Sequence, residues 1–355
     1  MTDIFKLIAE HQFGEIYFKN CQKTGMQAII AIHNTKLGPA LGGLRFVHYD
    51  NGEQAILDAI RLAQGMSYKA AMANLPLGGG KAVILKPKQP FSREDYMLSF
   101  GAFVNSLNGR YITALDSGTE LSDMDIIATR TQYLASRSDY YGDPSPSTVY
   151  GVMEGIKAAC KVKFNQDHLS GLTMAIQGLG HVGKSLAKIL TDAGVKLYIA
   201  DIDEQKTEYL AQELQQTAIA PEKIHTLECD VFIPCALGSI INAQSINQLR
   251  CKVVSGAANN QLIDISMAYA LHDKNILYVP DYIINAGGLI YAAGRYLQTT
   301  DSEIEKQIHD IYSRVIDISL RSIKENIPPS VIVDQIAKEK IMAPFQSQSA
   351  IVDIN

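Results

Sequence analysis

An α/β fold in two domains, a mixed α/β domain followed by a parallel-sheet domain, is predicted by three observations. The chain has 355 residues, 47% apolar and 19% charged, enough to bury more core than a single domain usually holds. Residues 140–147, Tyr-Tyr-Gly-Asp-Pro-Ser-Pro-Ser, are dense in turn formers and separate two textures. Beyond them strand-like and helix-like runs alternate to about Gly294, the pattern of βαβ units around a parallel sheet. The expected division is 1–142 and 143–330, with 331–355 returning to the first domain.

In the first domain Gln27 to Ile32 reads as a strand, Glu53 to Asn74 as a long helix stopped by Pro76, and Ala82 to Leu85 as a short buried strand. Tyr111 to Leu115 is a further strand, and Ser122 with Asp125 has the spacing of a capping box that would open a helix. In the second domain a helix is expected from Thr148 to about Lys163. Strands follow at Leu172 to Gln177, Lys196 to Ala200, Val231 to Pro234, Lys252 to Ser255 and Ile276 to Val279. A long helix from about Ser302 to Lys324 ends before Pro328 and Pro329, and Val331 to Asn355 should form one more helix and a tail.

Composition excludes several classes. A formal net charge of −5 with no run of Lys or Arg lacks the electrostatic footprint of a nucleic-acid or membrane-surface binder. Cys21, Cys160, Cys229, Cys235 and Cys251 fall at irregular spacings without a Cys-x-x-Cys pair, so neither a disulfide framework nor a cysteine metal site is encoded. The longest uncharged stretch, Val231 to Leu249, carries a Pro and several amides and hydroxyls, which a bilayer would not accept. The first residues lack an apolar signal core. A reduced, cytoplasmic compartment is expected.

The strand ending at Gln177 runs into Gly178-Leu179-Gly180-His181-Val182-Gly183, and a helix follows with Val182, Leu186, Ile189 and Leu190 on one face. Strand, glycine turn and helix together aim backbone N–H groups at a pyrophosphate. The motif alone is weak, but the next strand ends at Asp201, where a carboxylate accepts hydrogen bonds from ribose hydroxyls and repels a 2′-phosphate. The cofactor expected is therefore NAD rather than NADP, in a Rossmann-type domain. Later strand ends, Cys235-Ala236-Leu237-Gly238, Gly256-Ala257-Ala258-Asn259-Asn260 and Asn285-Ala286-Gly287-Gly288, line up small residues and amides. Singly each reads as loop chemistry; together they make a cofactor edge of Cys235, Ala236, Ala257, Asn259 and Asn285. The Cys235 thiol itself reads as a small packing group.

Two lysines and an aspartate carry the remaining signal. Lys69 stands among Gly65, Met66, Met72 and Ala73, and reads equally as an anion-binding cation or as a lysine whose stem covers apolar surface. Lys81 follows Gly78-Gly79-Gly80 at the start of an apolar strand; a lysine there, desolvated near a second cation, would have a pKa lowered towards general-base work. It is not a phosphate-loop lysine, because Leu75 and Ala82 occupy the positions of the first glycine and the hydroxyl residue. Asp116 ends its strand before Ser117-Gly118-Thr119 and reads equally as a functional carboxylate or a turn former.

Taken in order, Gly38-Pro39-Ala40-Leu41-Gly42-Gly43, Met66-Ser67-Tyr68-Lys69, Leu77-Gly78-Gly79-Gly80-Lys81, Tyr111 to Asp116, the glycine turn and Asn285-Ala286-Gly287-Gly288 resemble the glutamate, leucine, phenylalanine and valine dehydrogenase family, most nearly its leucine-type members. The resemblance covers nearly the whole chain. It implies a substrate and catalytic domain and an NAD-binding domain separated by a cleft, and a homo-oligomer, often an octamer. It implies that Lys69, with the Gly42-Gly43 turn, binds the α-carboxylate of an L-amino acid, that Lys81 activates water, and that Asp116 shuttles protons to the substrate nitrogen. Thr148 and Asn285 match positions that contact the nicotinamide end and the substrate. Leu41 stands where the glutamate enzymes carry a lysine, and with Ala114, Val315 and Ile318 implies a branched aliphatic pocket. A substrate carboxylate against leucine would cost several kcal/mol, on the order of its desolvation penalty. Leu115 and His181 depart from the leucine-type pattern.

Overall fold

The computed structural model describes residues 4–10, 13–139, 142–236 and 238–343. Tyr140 and Tyr141 of the turn-rich stretch, Leu237 of one strand end, the first residues and the tail 344–355 lie outside the described residues. The chain divides into two compact units. One comprises the chain up to Ala71, Leu75–Tyr133 and the chain from Ile336; the other comprises Met72–Asn74 and Leu134–Gln335.

The first unit holds α1 (Ile4–Glu10), β1 (Glu15–Asn20), β2 (Gln27–Asn34), β3 (Ala40–Val47), α2 (Gly52–Met72), β4 (Gly78–Leu85), α3 (Arg93–Asn105), β5 (Tyr111–Leu115) and α4 (Leu121–Ala128). Its sheet is mixed, in the order β1-β2-β4-β3-β5, with β1–β2 and β2–β4 antiparallel and β3 parallel to both β4 and β5. Small residues Ala55, Ala59 and Ala63 let α2 lie close against Ile29, Ala31 and Val83 of the sheet. Each aliphatic side chain fully buried there contributes about 1.5–3 kcal/mol. The helix ends where Asn74 turns to φ +55 ahead of Pro76.

The second unit holds α5 (Ser145–Phe164), β6 (Thr173–Gln177), α6 (His181–Asp192), β7 (Lys196–Ala200), α7 (Glu204–Leu214), β8 (Thr217–Ala218), β9 (Val231–Pro234), α8 (Ser245–Gln248), β10 (Val253–Val254), α9 (Ser266–Asp273), β11 (Leu277–Tyr278), α10 (Asp281–Ile284), α11 (Gly287–Tyr296) and α12 (Asp301–Glu325); α13 (Pro329–Met342) begins there and ends in the first unit. All six strands run parallel in the order β11-β10-β9-β6-β7-β8. That is the doubly wound arrangement whose order reverses between β6 and β9, so a ligand crevice is expected beyond their carboxyl ends.

Several expectations are corrected. Gly42 and Gly43 are not a turn but lie within β3, and Gly78–Gly80 open β4, so Lys81 sits inside its strand rather than at its start. Close packing explains the glycines: a Cβ on Gly42 would stand 1.8 Å from the Gly80 carbonyl oxygen, and one on Gly79 2.0 Å from the Ser67 nitrogen of α2. Helix α4 is boxed by Glu120 and Asp123, not Ser122 and Asp125. Helix α5 begins at Ser145, three residues before Thr148, with Pro146 in its first turn, where a missing N–H costs nothing. In the second unit β6 starts one residue later than expected, β10 and β11 are one residue shorter at each end, and the short β8 was not expected.

Candidate active site

In the first unit, β3, β4 and β5 bring one charge cluster together. Lys81, only 5% exposed, places Nζ 2.6 Å from Asp116 Oδ2 at the end of β5. Arg45 of β3 donates through Nε to the same oxygen at 3.3 Å, and through Nη1 to Asp58 of α2 at 2.9 Å. The Tyr49 hydroxyl donates to Asp58 at 2.6 Å. Burial alone would raise the Asp116 pKa, but the Lys81 and Arg45 cations outweigh it and hold the carboxyl at about 2. Arg45 was not expected from the sequence, because its partner lies 71 residues away and only the β3–β5 pairing joins them.

Gly43 is what lets Asp116 sit there. A Cβ at Gly43 would lie 2.6 Å from the Asp116 Cβ, so the strand presents bare backbone to the carboxylate. The Tyr111 hydroxyl donates to the Gly42 carbonyl at 2.5 Å and fixes that backbone. Strand alternation puts Leu41 on the same face as Gly43, and Ala114, paired with Gly43, on the face of Asp116. Leu41 is 1% exposed and Ala114 half-buried. Lys69 is half-buried in the last turn of α2, two residues beyond the Ser67 that closes on Gly79.

In the second unit the glycine turn joins β6 to α6 at the switch point. Gly178 adopts φ +97, and a Cβ there would meet the Ala236 nitrogen at 2.7 Å; one on Gly183 would meet the Gly178 carbonyl at 2.0 Å, so helix and strand touch. A Cβ on Gly180 would meet nothing within 4 Å, which leaves the backbone open to a ligand. Asp201, at the end of β7, accepts the Leu179 N–H at 2.6 Å and the Asp203 N–H at 3.1 Å. Burial raises its pKa, but these N–H groups with Lys206 outweigh that and hold it below the ordinary carboxylate value. Leu179 is thus not a phosphate donor: its side chain is buried and its N–H is spent on Asp201. The N–H groups left without an intrahelical acceptor by helix geometry are those of His181, Val182 and Gly183.

A cavity of about 940 Å³ opens over this turn, lined among others by Gly180, Asp201, Ile202, Cys235, Ala236 and Asn242. Burial pushes the Cys235 thiol up to about 12, consistent with a packing role. Ala257 and Asn259 meet Asn285, whose Nδ2 donates to the Ala257 carbonyl at 3.1 Å and to Asn259 Oδ1 at 2.9 Å. Thr148 lies on the first turn of α5 against Gly287 and Gly288, where a Cβ would stand 2.0 Å from the Ser147 oxygen and 2.5 Å from Thr148 Oγ1 respectively. Val315 and Ile318 continue the buried stripe Ile304, Ile308, Ile311 of α12, the repeat of a helix face packed as core. The open Gly180 backbone and the Asp201 acceptor fit a dinucleotide. Among the described residues no group of three or more His, Cys, Asp or Glu could hold a metal ion, and no helix is long and apolar enough to cross a membrane.

A doubly wound sheet with this turn, and a buried lysine–carboxylate pair in a separate unit, are the features of a two-domain enzyme of the dinucleotide-binding class. Residues 12–133 match the model of the Glu/Leu/Phe/Val dehydrogenase dimerisation domain, and residues 196–343 that of Glutamate/Leucine/Phenylalanine/Valine dehydrogenase. The chain belongs to this family, whose members are generally NAD(P)-dependent, and is an amino acid dehydrogenase close to leucine dehydrogenase. It is 42% identical to leucine dehydrogenase of Bacillus subtilis (strain 168), over 98% of this chain and 96% of that one. It is 41% identical to phenylalanine dehydrogenase of Lysinibacillus sphaericus, over 89% and 84% respectively. The crystal structure of L-tryptophan dehydrogenase from Nostoc punctiforme superposes with a TM-score of 0.82 at 38% identity, covering 95% of this chain and 98% of that one.

Proposed function

We propose that the protein catalyses NAD-linked oxidative deamination of branched-chain aliphatic L-amino acids, leucine first with valine and isoleucine, to 2-oxo acids and ammonium, and the reverse amination. The observation that carries the reading is the 2.6 Å pair of Lys81 and Asp116 beside the bare Gly42–Gly43 backbone. The first unit is the substrate and catalytic domain; the second binds NAD through Gly180, His181, Val182 and Gly183, with Asp201 on the ribose. Held there, NAD would supply the hydride acceptor for oxidation at the substrate α-carbon.

Every other step belongs to side chains. Lys69 holds the α-carboxylate as a point charge, with the β3 glycines allowing the substrate to lie against backbone. Lys81 orients the water that adds to the iminium carbon and stabilises charge developing on the carbinolamine oxygen. After the substrate ammonium has lost a proton to solvent, Asp116, ionised in the free protein, takes up the proton released as water adds to the iminium and passes it to the nitrogen. As the C–N bond breaks, the carbinolamine hydroxyl proton goes to Asp116 and on to the released ammonia, which leaves as ammonium. Leu41 and Ala114 form an aliphatic side-chain site, with Val315 and Ile318 as the further aliphatic candidates; discrimination of one methylene is worth about 1–3 kcal/mol, so leucine, isoleucine and valine should all react. The first matched model is described as a dimerisation domain, which supports a homo-oligomer, proposed here as an octamer; a cytoplasmic location is proposed with it.

The test is NADH formation from NAD⁺ with L-leucine, L-valine, L-isoleucine, L-phenylalanine, L-tryptophan and L-glutamate supplied separately. The branched aliphatic acids should give the highest kcat/KM and glutamate the lowest. Faster turnover of phenylalanine or tryptophan than of leucine would overturn the aliphatic assignment, and the identities to aromatic amino acid dehydrogenases make that arm necessary.

A further inference from the structure

Asn285 follows α10 and is 6% exposed. Both amide protons are committed, to the Ala257 carbonyl and to Asn259 Oδ1. A flipped amide would set Oδ1 against those two oxygens, so the orientation is unique. Oδ1 is buried and has no hydrogen-bond partner among the described residues. An unpaired buried acceptor is costly, and a ligand that brings an N–H recovers that cost.

The two oxygens that orient Asn285 are themselves braced. Gln261, fully buried, donates Nε2 to the Gly256 carbonyl at 2.7 Å and the Ala258 carbonyl at 2.9 Å, closing the loop that carries Ala257 and Asn259. Asp281 is 7% exposed; its Oδ2 accepts the Asn260 N–H at 2.6 Å, and the Tyr278 hydroxyl donates to its Oδ1 at 3.4 Å. Asp281 opens the four-residue helix that hands over to Asn285. One carboxylate therefore ties the Asn259–Asn260 loop to the segment bearing Asn285.

Resting on the NAD reading above, we propose that Asn259 and Asp281 are positioning residues that lock the Asn285 carboxamide so that its Oδ1 accepts a hydrogen bond from the carboxamide N–H of the nicotinamide. The site asks for a donor. Acetylpyridine adenine dinucleotide keeps the shape of NAD⁺ but replaces that NH₂ by a methyl group, and so cannot meet the demand.

The experiment is calorimetric titration of the full chain with each dinucleotide, without amino acid. The unsubstituted protein should bind NAD⁺ about tenfold tighter than the analogue, the ratio one hydrogen bond supports. Asn259→Ala and Asp281→Ala should bring the ratio to within about twofold of unity, mainly by weakening NAD⁺. Asn259→Asp, which keeps an acceptor for Nδ2, should retain the preference. Asn259 is exposed, so its variants test the idea even where Asp281→Ala fails to fold, and thermal unfolding reports that. An unchanged ratio in Asn259→Ala, or no preference in the unsubstituted protein, refutes the proposal. An unchanged ratio with a raised amino acid KM refutes it too, and assigns Oδ1 to the substrate amine. Failure to bind either dinucleotide refutes the NAD reading itself.

Discussion

A single methyl group at Gly43 should disable catalysis while leaving the fold in place. The Cβ of Gly43→Ala would stand 2.6 Å from Asp116 Cβ, 3.1 Å from the Leu115 carbonyl oxygen and 3.3 Å from Asp116 Cγ. Carbon atoms prefer about 3.5–4.0 Å, so the aspartate must retreat by about 1 Å. Lys81, buried within β4, cannot follow, and the 2.6 Å ion pair would open to about 3.6 Å, beyond hydrogen-bond range. A displacement of that size at reacting groups costs on the order of 100-fold in rate, and overpacking costs about 1–3 kcal/mol in stability. The assay is kcat for leucine at saturating NAD⁺ beside the thermal midpoint. Gly52→Ala is the control: the site at the start of α2 has nothing within 4 Å of an added Cβ, and its kcat should not change. A Gly43→Ala protein that folds and keeps kcat within threefold of the unsubstituted protein would refute the account of Asp116.

Three further outcomes follow. Asp201→Ser should raise KM for NAD⁺ at least tenfold and narrow the preference over NADP⁺, because it removes both the ribose acceptor and the brace on the Leu179 N–H; an unchanged cofactor preference would count against Asp201 as the ribose residue. Asp116 has a folded pKa of about 2 against a reference of 3.8, so it stabilises the fold above about pH 4 and the benefit fades as pH falls towards 2, for a total of about 2 kcal/mol. Urea unfolding should accordingly show the gap between the unsubstituted protein and Asp116→Asn closing across that window, and parallel curves would contradict it. Leu41→Lys should raise glutamate activity relative to leucine while losing several kcal/mol of stability, since a side chain 1% exposed becomes a buried cation; no relative gain for glutamate would remove Leu41 from the substrate site.

The parts legible in the sequence are those in which one local segment carries the whole physical requirement. Gly178, Gly180 and Gly183 with Asp201 announce a phosphate turn because strand, turn and helix are contiguous, and βαβ alternation predicts the parallel sheet. Gly42-Gly43 misleads for the opposite reason. A glycine pair looks like a turn, but here the demand for small size comes from Gly80 and Asp116, which reach β3 only through sheet pairing. Leu179 shows the same limit at finer scale: membership of the motif does not say that its N–H is given to Asp201. The cofactor-edge asparagines are readable as a group, while the assignment of donor and acceptor between Asn259 and Asn285 appears only in the folded loop.

Arg45 also resolves a chemical difficulty in the proposed mechanism. A carboxylate flanked by two cations is a weak base, yet Asp116 must accept a proton during turnover. Arg45 keeps a second carboxylate when Asp116 is protonated, because Asp58 holds it at 2.9 Å and Tyr49 in turn donates to Asp58, although Asp116 exerts the larger Coulombic pull on the arginine. Protonating Asp116 therefore strands no arginine, and what changes is the Lys81 contact, the larger of the two cationic influences on the aspartate. In the proposed mechanism Lys81 keeps its place in β4 and shares its ammonium N–H groups with the developing carbinolamine oxygen, so its hold on the carboxylate weakens and Asp116 becomes more basic as a proton is released. Arg45, Lys81 and Asp58 stand on β3, β4 and α2, and Asp116 directly follows the last residue of β5, so strand register and helix packing set the positions of the three groups that surround the carboxylate.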